Sequence, residues 1–298
     1  RLEEGTGISA PREHGYDVVG AIQAMDAGEV DVLVAMGGNL VSAAPDTDVT
    51  ASAMGKVGLA VHVSTKPNRS HMLAGEGAVL LLPCLGRTEI DVQPGGRQFV
   101  TVENSMGIVH RSVGNLEPAS TDLRSEPWIV AELAARALPE SEIPWQKLAE
   151  DYDGIRDLIE ASVEGFDGYN SRVREANGFE LPNPPRDELR FNTSSSKAHF
   201  TVHDLPNLRP AHGGSHVLMT VRSHDQYNTT IYGLEDRYRG ISGNRRVVFM
   251  NGEEMADRGW RTGHRVDLVS HWSDGERRSE DWRDRKSTRL NSSHQIIS

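Results

Sequence analysis

The 298-residue sequence predicts an α/β fold: part of a parallel sheet with helical crossovers, then a helical connection, then a small C-terminal β-barrel. Three observations carry this expectation. Aliphatic runs at 30–36, 59–63 and 78–82 each stop at turn-forming or polar residues, as parallel strands buried on both faces do. Helical spacing of apolar residues fills the segments around them. Past a Pro- and Ser-rich stretch at 178–196, short strand-like runs separated by Gly and Asn turns replace helices.

In chain order, Val18, Ala21, Ile22 and Met25 fall on one face of a helix. Val30 to Met36 is a strand ending in Gly37, Gly38 and Asn39. Glycines at a strand's carboxyl end let main-chain N–H groups approach a pyrophosphate or nucleoside, although the same pair also makes an ordinary tight turn. Asn39 and Ser42 add an amide and a hydroxyl, and Asp46 or Thr47 caps a helix from Asp48 to Met54. Leu59 to Val63 opens into Ser64, Thr65, Lys66, Asn68, Arg69, Ser70 and His71. That set suits an anion or, equally, a solvated loop. Ala78 to Leu82 is a third strand stopped by Pro83. The charged stretch Arg87 to Asp91 follows it, beside Cys84, which reads as a small buried side chain because no second Cys or His lies at ligand spacing.

Segments 98–103 and 108–111 alternate around Asn104 to Gly107 as a hairpin. Ser125 caps a helix that tolerates Pro127 in its first turn. Pro144 to Val163 is amphipathic, with a break expected at Gly154. In the last third, 198–202, 217–221, 246–250 and 265–270 read as strands, with a short helix at 252–258. The loop Arg222, Ser223, His224, Asp225, Gln226, Tyr227, Asn228, Thr229, Thr230 is dense in hydrogen-bonding groups. It can wrap a polar ligand or form an Asn-rich solvent turn.

Composition narrows the function classes. A formal charge of −11 argues against a general nucleic-acid binder. There is no run of about 18 apolar residues to span a bilayer. A single cysteine excludes an internal disulfide framework or a cluster-binding thiolate set, which makes a reducing cytoplasm the expected location. The opening Arg1-Leu2-Glu3-Glu4 has neither an initiator Met nor an apolar leader, so the chain is expected to begin inside a longer protein. Asp284 to Ser298 abandons the strand pattern and resembles the translation of a sequencing adapter. It is set aside from the functional reading.

Taken together, Ala35 to Asn39, His62 to His71, Leu82 to Glu89, Arg222 to Tyr232 and Asp236 to Gly240 resemble the large (alpha) subunit of formate-dehydrogenase-like molybdopterin oxidoreductases. The likeness runs from about Gly15 to Trp282. It implies molybdenum held by a bis-molybdopterin guanine dinucleotide. Residues 1–139 would be part of the α/β dinucleotide-binding domain, 140–196 a helical connection, and 197–283 a truncated β-barrel closing over the pterins. By this resemblance Gly37, Gly38 and Asn39 meet a guanosine phosphate arm, and Ser64, Thr65 and Lys66 the nucleoside or pyrophosphate. Arg222 to Thr230 would meet the pterin, with Arg87 and Asp91 as further contacts. The family's iron–sulfur cysteines, for a 4Fe-4S cluster, and its molybdenum-proximal residue belong to an upstream region. No catalytic acid, base or metal ligand is therefore assigned within this chain, which alone is expected to be inactive. The whole enzyme would oxidise formate or a similarly small substrate by two electrons, with its electron acceptor undefined. A noncatalytic nucleotide-binding or scaffold protein with the same walls is the alternative.

Overall fold

The computed structural model describes residues 2–9, 11–73, 77–204, 215–222, 224, 226–227, 230–231, 233–287 and 293–297. For 226–227, 230–231, 284–287 and 293–297 it describes the backbone alone. Two compact units result, Arg1–His199 and Phe200–Ser298.

The first unit starts with α1 (Leu2–Thr6), α2 (Val18–Asp26) and β1 (Val32–Met36). Next come α3 (Leu40–Ala43), α4 (Thr47–Met54), β2 (Leu59–Ser64), a 3₁₀ turn (Arg69–Met72) and β3 (Ala78–Pro83). Strands β1, β2 and β3 lie side by side in that order and all parallel, pairing Met36 with Val63 and Ser64 with Pro83. Their carboxyl ends therefore share one edge of the sheet, as the aliphatic runs predict. The burial on both faces that those runs imply is corrected: Val32 and Val34 of β1 and Val79, Leu80 and Leu81 of β3 are exposed, because among the described residues no element covers them. Asp46 starts α4 by accepting from the Val49 N–H at 3.1 Å, one residue earlier than expected for the helix itself. Ile22, Met25, Val41, Ala53, Met54 and Val57 form the core between these helices and the sheet. Each large apolar side chain so buried contributes about 1.5–3 kcal/mol relative to exposure.

Beyond β3 come two-residue strands β4 (Val92–Gln93) and β5 (Gly96–Arg97). The hairpin of β6 (Val100–Glu103) and β7 (Ile108–Ser112) is antiparallel around Asn104 to Gly107, where the Asn104 carboxamide accepts from the Met106 and Ile108 N–H groups. Helix α5 (Glu126–Ala137) begins at Ser125, whose hydroxyl accepts from the Trp128 N–H. Helices α6 (Trp145–Glu150) and α7 (Asp153–Ser162) are separated at Asp151 and Tyr152 rather than at Gly154, which lies inside α7. Tyr152 causes the shift. Its N–H donates to the Gln98 carboxamide and its hydroxyl to Asp91, and these tertiary partners fix the joint. Helix α8 (Tyr169–Arg172), β8 (Phe179–Glu180) and α9 (Pro184–Asp187) complete the unit. β8 pairs with β7 over a core of Val109, Tyr169, Val173 and Phe179.

The second unit contains β9 (Val217–Val221), the short pair β10 (Gln226–Tyr227) and β11 (Thr230–Ile231), β12 (Val247–Asn251) and α10 (Gly252–Asp257). It ends with β13 (Arg265–Trp272), β14 (Gly275–Ser287) and β15 (Ser293–Ile297). Among the described residues this unit forms a five-stranded mixed sheet, in the order β13-β14-β12-β15-β9, and the barrel expected for it is not seen closed. Segment 198–202, expected as a strand, carries the right alternation but has no ladder partner among the described residues. Phe200 and Val202 stand almost fully exposed there. Residues 284–287 and 293–297, set aside because of the adapter likeness, supply backbone to this sheet. The core behind it is Val248, Met250, Met255 and Trp282.

Candidate functional site

The shared carboxyl edge of β1, β2 and β3 gathers three loops, and the first two are hydrogen-bonded to each other. After β1 the chain turns through Gly37 and Gly38, both left-handed with φ of 65° and 64°. A Cβ added at either would meet no atom within 4 Å, so the two glycines form a bare backbone ledge. The Gly37 N–H is spent on the Val63 carbonyl at 2.8 Å. What the ledge offers a ligand is therefore its open face, not that N–H.

Asn39 does not cap α3 with its own side chain. Ser70, from the neighbouring loop, does so. Its hydroxyl accepts the Val41 N–H at 3.1 Å and donates to the Asn39 carboxamide oxygen at 3.0 Å. Asn68 completes the bond between loops, donating to the Gly38 carbonyl at 2.8 Å while its own oxygen accepts the Ser70 N–H. The Asn68 N–H donates to His71 Nδ1, so that nitrogen is unprotonated and the 3₁₀ turn is locked as a capping box. The His71 ring lies 4.8 Å from that of His62, which is buried in β2. Burial, reinforced by His71, holds the His62 pKa below its ordinary value of 6.5.

The other expected site residues divide into outward and committed groups. Ser64 is buried and donates to the Lys66 carbonyl, whereas Thr65 and Lys66 are exposed at the same edge. Arg87 is exposed and lines an open cleft of about 450 Å³ with residues of β6, β7 and the segment after β7. Asp91 is committed: its two oxygens accept from Tyr152 at 2.6 Å and Gln93 at 2.7 Å. Burial first, and then Asp91, drive the Tyr152 phenol pKa upward, which keeps it a neutral donor. Cys84 is buried, and burial with Glu126 and Glu89 nearby pushes its thiol up to about 11. Such a thiol is not a nucleophile at neutral pH.

In the second unit, Ser223, Asp225, Asn228 and Thr229 lie outside the described residues, and Gln226, Tyr227 and Thr230 are described by backbone alone. Arg222 is exposed. His224 is anchored on Asp236, which is fully buried. The Asp236 carboxylate accepts from the His224, Tyr238 and Arg239 N–H groups at 3.1 Å each and from the Arg239 guanidinium. Burial works against its charge, but the His224 N–H and Arg239 prevail and hold its pKa below the usual carboxylate value. Arg239 also donates to His224 Nδ1 at 2.8 Å, and the His224 ring stacks 4.2 Å from Tyr238. Buried Arg245 donates to the carbonyls of His224, Gly233 and Glu235. His62, Ser70 and Asp236 lie within the stretches that carry the family resemblance but were given no role of their own there, and Arg245 carries no local signal. Beside the Gly37–Gly38 pair, the Asn68-x-x-His71 cap spacing is the local signal that points to the Ser70 loop.

Among the described residues, no group of three or more His, Cys, Asp or Glu is placed to hold a metal ion, and no helix is long and apolar enough to cross a membrane.

The sequence matches no family model. It is 52% identical over 288 residues to an uncharacterized oxidoreductase of Mycobacterium tuberculosis H37Rv, covering 94% of this chain and 37% of that protein. Protein YdeP of Escherichia coli K12 is 45% identical over 281 residues, with the same coverage of 94% and 37%. The chain thus spans little more than a third of the length of these relatives. Its structure resembles acetylene hydratase from Pelobacter acetylenicus with a TM-score of 0.60 at 15% identity, over 99% of this chain and 42% of that one. In sequence the chain resembles proteins named as oxidoreductases, and its fold is that of part of acetylene hydratase.

Proposed function

We propose that the chain is the C-terminal portion of a molybdenum-dependent oxidoreductase, and that the carboxyl edge of β1–β3 is part of the wall holding a molybdopterin guanine dinucleotide. The bare Gly37–Gly38 ledge, bonded through Asn39 and Asn68 to the Ser70 loop, is the observation that carries this reading. A sheet edge of this kind accepts the flat nucleoside and the phosphates of a dinucleotide without a side chain in the way. The exposed Thr65 and Lys66 offer a hydroxyl and an ammonium, which suit phosphate oxygens. The oxidoreductase names of the relatives and the likeness in fold support the class.

When bound, the metal and its pterins supply the redox chemistry. This chain's residues bind and orient. Ser70 and Asn68 hold the ledge in shape, Lys66 offers charge to the phosphates, and in the second unit the Asp236 network fixes the backbone that carries His224. Formate, or a similarly small molecule oxidised by two electrons, is the substrate class that the motif resemblance favours. The test is to purify the full-length protein from cells with intact cofactor biosynthesis and measure molybdenum and acid-released guanine nucleotide. Both should be present, and Gly38→Val, which places a branched side chain on the ledge, should reduce guanine nucleotide at least tenfold. A full-length protein carrying neither would refute the assignment.

A further inference from the structure

The cleft bordered by Arg87 shares no residue with the Gly38–Asn39–Asn68–Ser70 network and has chemistry of its own. Its walls are the loop after β3, strands β6 and β7, and the segment that follows β7. Two arginines border it, Arg87 and Arg111, and both are exposed. Neither side chain is paired with a carboxylate or bonded to another group among the described residues. In an acidic chain of 43 Asp and Glu against 32 Lys and Arg, some arginines take carboxylate partners, as Arg136 does with Glu132 and Arg174 with Asp153, and others donate to carbonyls, as Arg172 does to Asp167 and Arg283 to Ser242. Two guanidinium groups without a carboxylate partner border one cleft and place positive charge there.

The frame that holds them is rigid. The Asn115 and Leu116 N–H groups donate to the Thr88 carbonyl at 2.8 and 2.9 Å, and the Ile90 N–H donates to the Leu116 carbonyl at 2.8 Å. Gly114 lies so close to the Glu89 backbone that an added Cβ would collide with its carbonyl oxygen. Asn115, which also lines the cleft, accepts from the Arg97 guanidinium through its carboxamide oxygen, so its N–H₂ group is the end left to donate. His110 adds an imidazole, and Val102 and the largely exposed Leu116 give the cleft an apolar side.

We infer that this cleft binds a phosphomonoester carried on an apolar or aromatic body. Two guanidinium forks with an imidazole and an amide donor match a dianionic phosphate better than a singly charged carboxylate. The apolar side then takes the ester group, and about 450 Å³ holds a ligand the size of a small aromatic phosphate. Arg87 acts in this cleft on a ligand other than the dinucleotide. Binding at this cleft is independent of the dinucleotide, so either ligand can be absent while the other is bound.

Calorimetric titration of the full chain with phenyl phosphate tests it, with inorganic phosphate and benzoate as separate arms. The expected result is saturable one-to-one binding of phenyl phosphate, at least tenfold tighter than either fragment. Arg87→Gln and Arg111→Gln should each weaken it at least tenfold, with the parent's circular dichroism and melting retained. Leu116→Ser should weaken phenyl phosphate while leaving inorganic phosphate unchanged, and Arg12→Gln, remote in the chain and paired with Glu3, should change nothing. Absence of saturable binding, binding indifferent to both cleft arginines, or equal weakening by Arg12→Gln would overturn the proposal. Equal affinity for inorganic phosphate would overturn the part assigned to the apolar side.

Discussion

Single buried polar groups hold the two candidate regions in shape. Ser70 serves two loops at once, so Ser70→Ala leaves the Val41 N–H and the Asn39 carboxamide without their partner, and such a loss costs about 1–3 kcal/mol. Chemical denaturation should show a decrease of that size, and the full-length variant should retain less guanine nucleotide. Asp236 is more heavily used, because three backbone N–H groups and Arg239 converge on a carboxylate with no exposure. Asp236→Asn removes the charge that Arg239 faces and is expected to destabilise the second unit by about 3 kcal/mol. The folded carboxyl pKa lies below its unfolded value, so its contribution is present above about pH 4 and is lost as pH falls through the folded value. His62 acts at a higher pH with the same sense. Its folded pKa is depressed, so the unfolded chain takes up a proton first, and stability falls as pH drops below 6.5. Urea midpoints of the parent and His62→Leu, compared from pH 7.5 to 5.5, should diverge, with the parent losing more stability on the acid side.

Elements with a local cause were legible in the sequence. The three parallel strands, the Asp46 and Ser125 caps and the hairpin around Asn104 each depend on residues within a few positions of one another, so the string of residues suffices to place them. Other features depend on distant partners. The break between α6 and α7 is set by Tyr152 reaching Gln98 and Asp91, more than fifty positions away, and no local breaker marks it. Gly154 looked like a breaker but packs against Leu148 inside the helical region. Segment 198–202 has strand alternation but no strand to pair with among the described residues, and alternation alone does not make a ladder. The candidate site divides in the same way. Gly37 and Gly38 were visible, whereas Ser70 as the cap of α3 was not, because its target lies 29 residues earlier. The close approach at Gly114 is also a tertiary fact. Gly114→Ala should cost about 3 kcal/mol by pushing the segment after β7 off Glu89. Thermal melting would show it as a loss confined to the first unit.

For the whole molecule, the acidic charge and the short reach along its relatives frame the functional reading. A chain that matches 37% of an oxidoreductase's length would supply one part of a larger protein's binding surface. In the proposed arrangement a dinucleotide lies against the carboxyl edge of the parallel sheet, and the residue nearest the metal comes from another segment. In this arrangement a guanine dinucleotide of molybdenum sits against the Gly37–Gly38 ledge. Molybdenum and guanine nucleotide, measured together on the full-length protein made with cofactor biosynthesis intact, decide whether it is there. The expected result is about two guanine nucleotides per molybdenum, both falling in the Gly38→Val variant. A well-folded full-length protein free of both would contradict it.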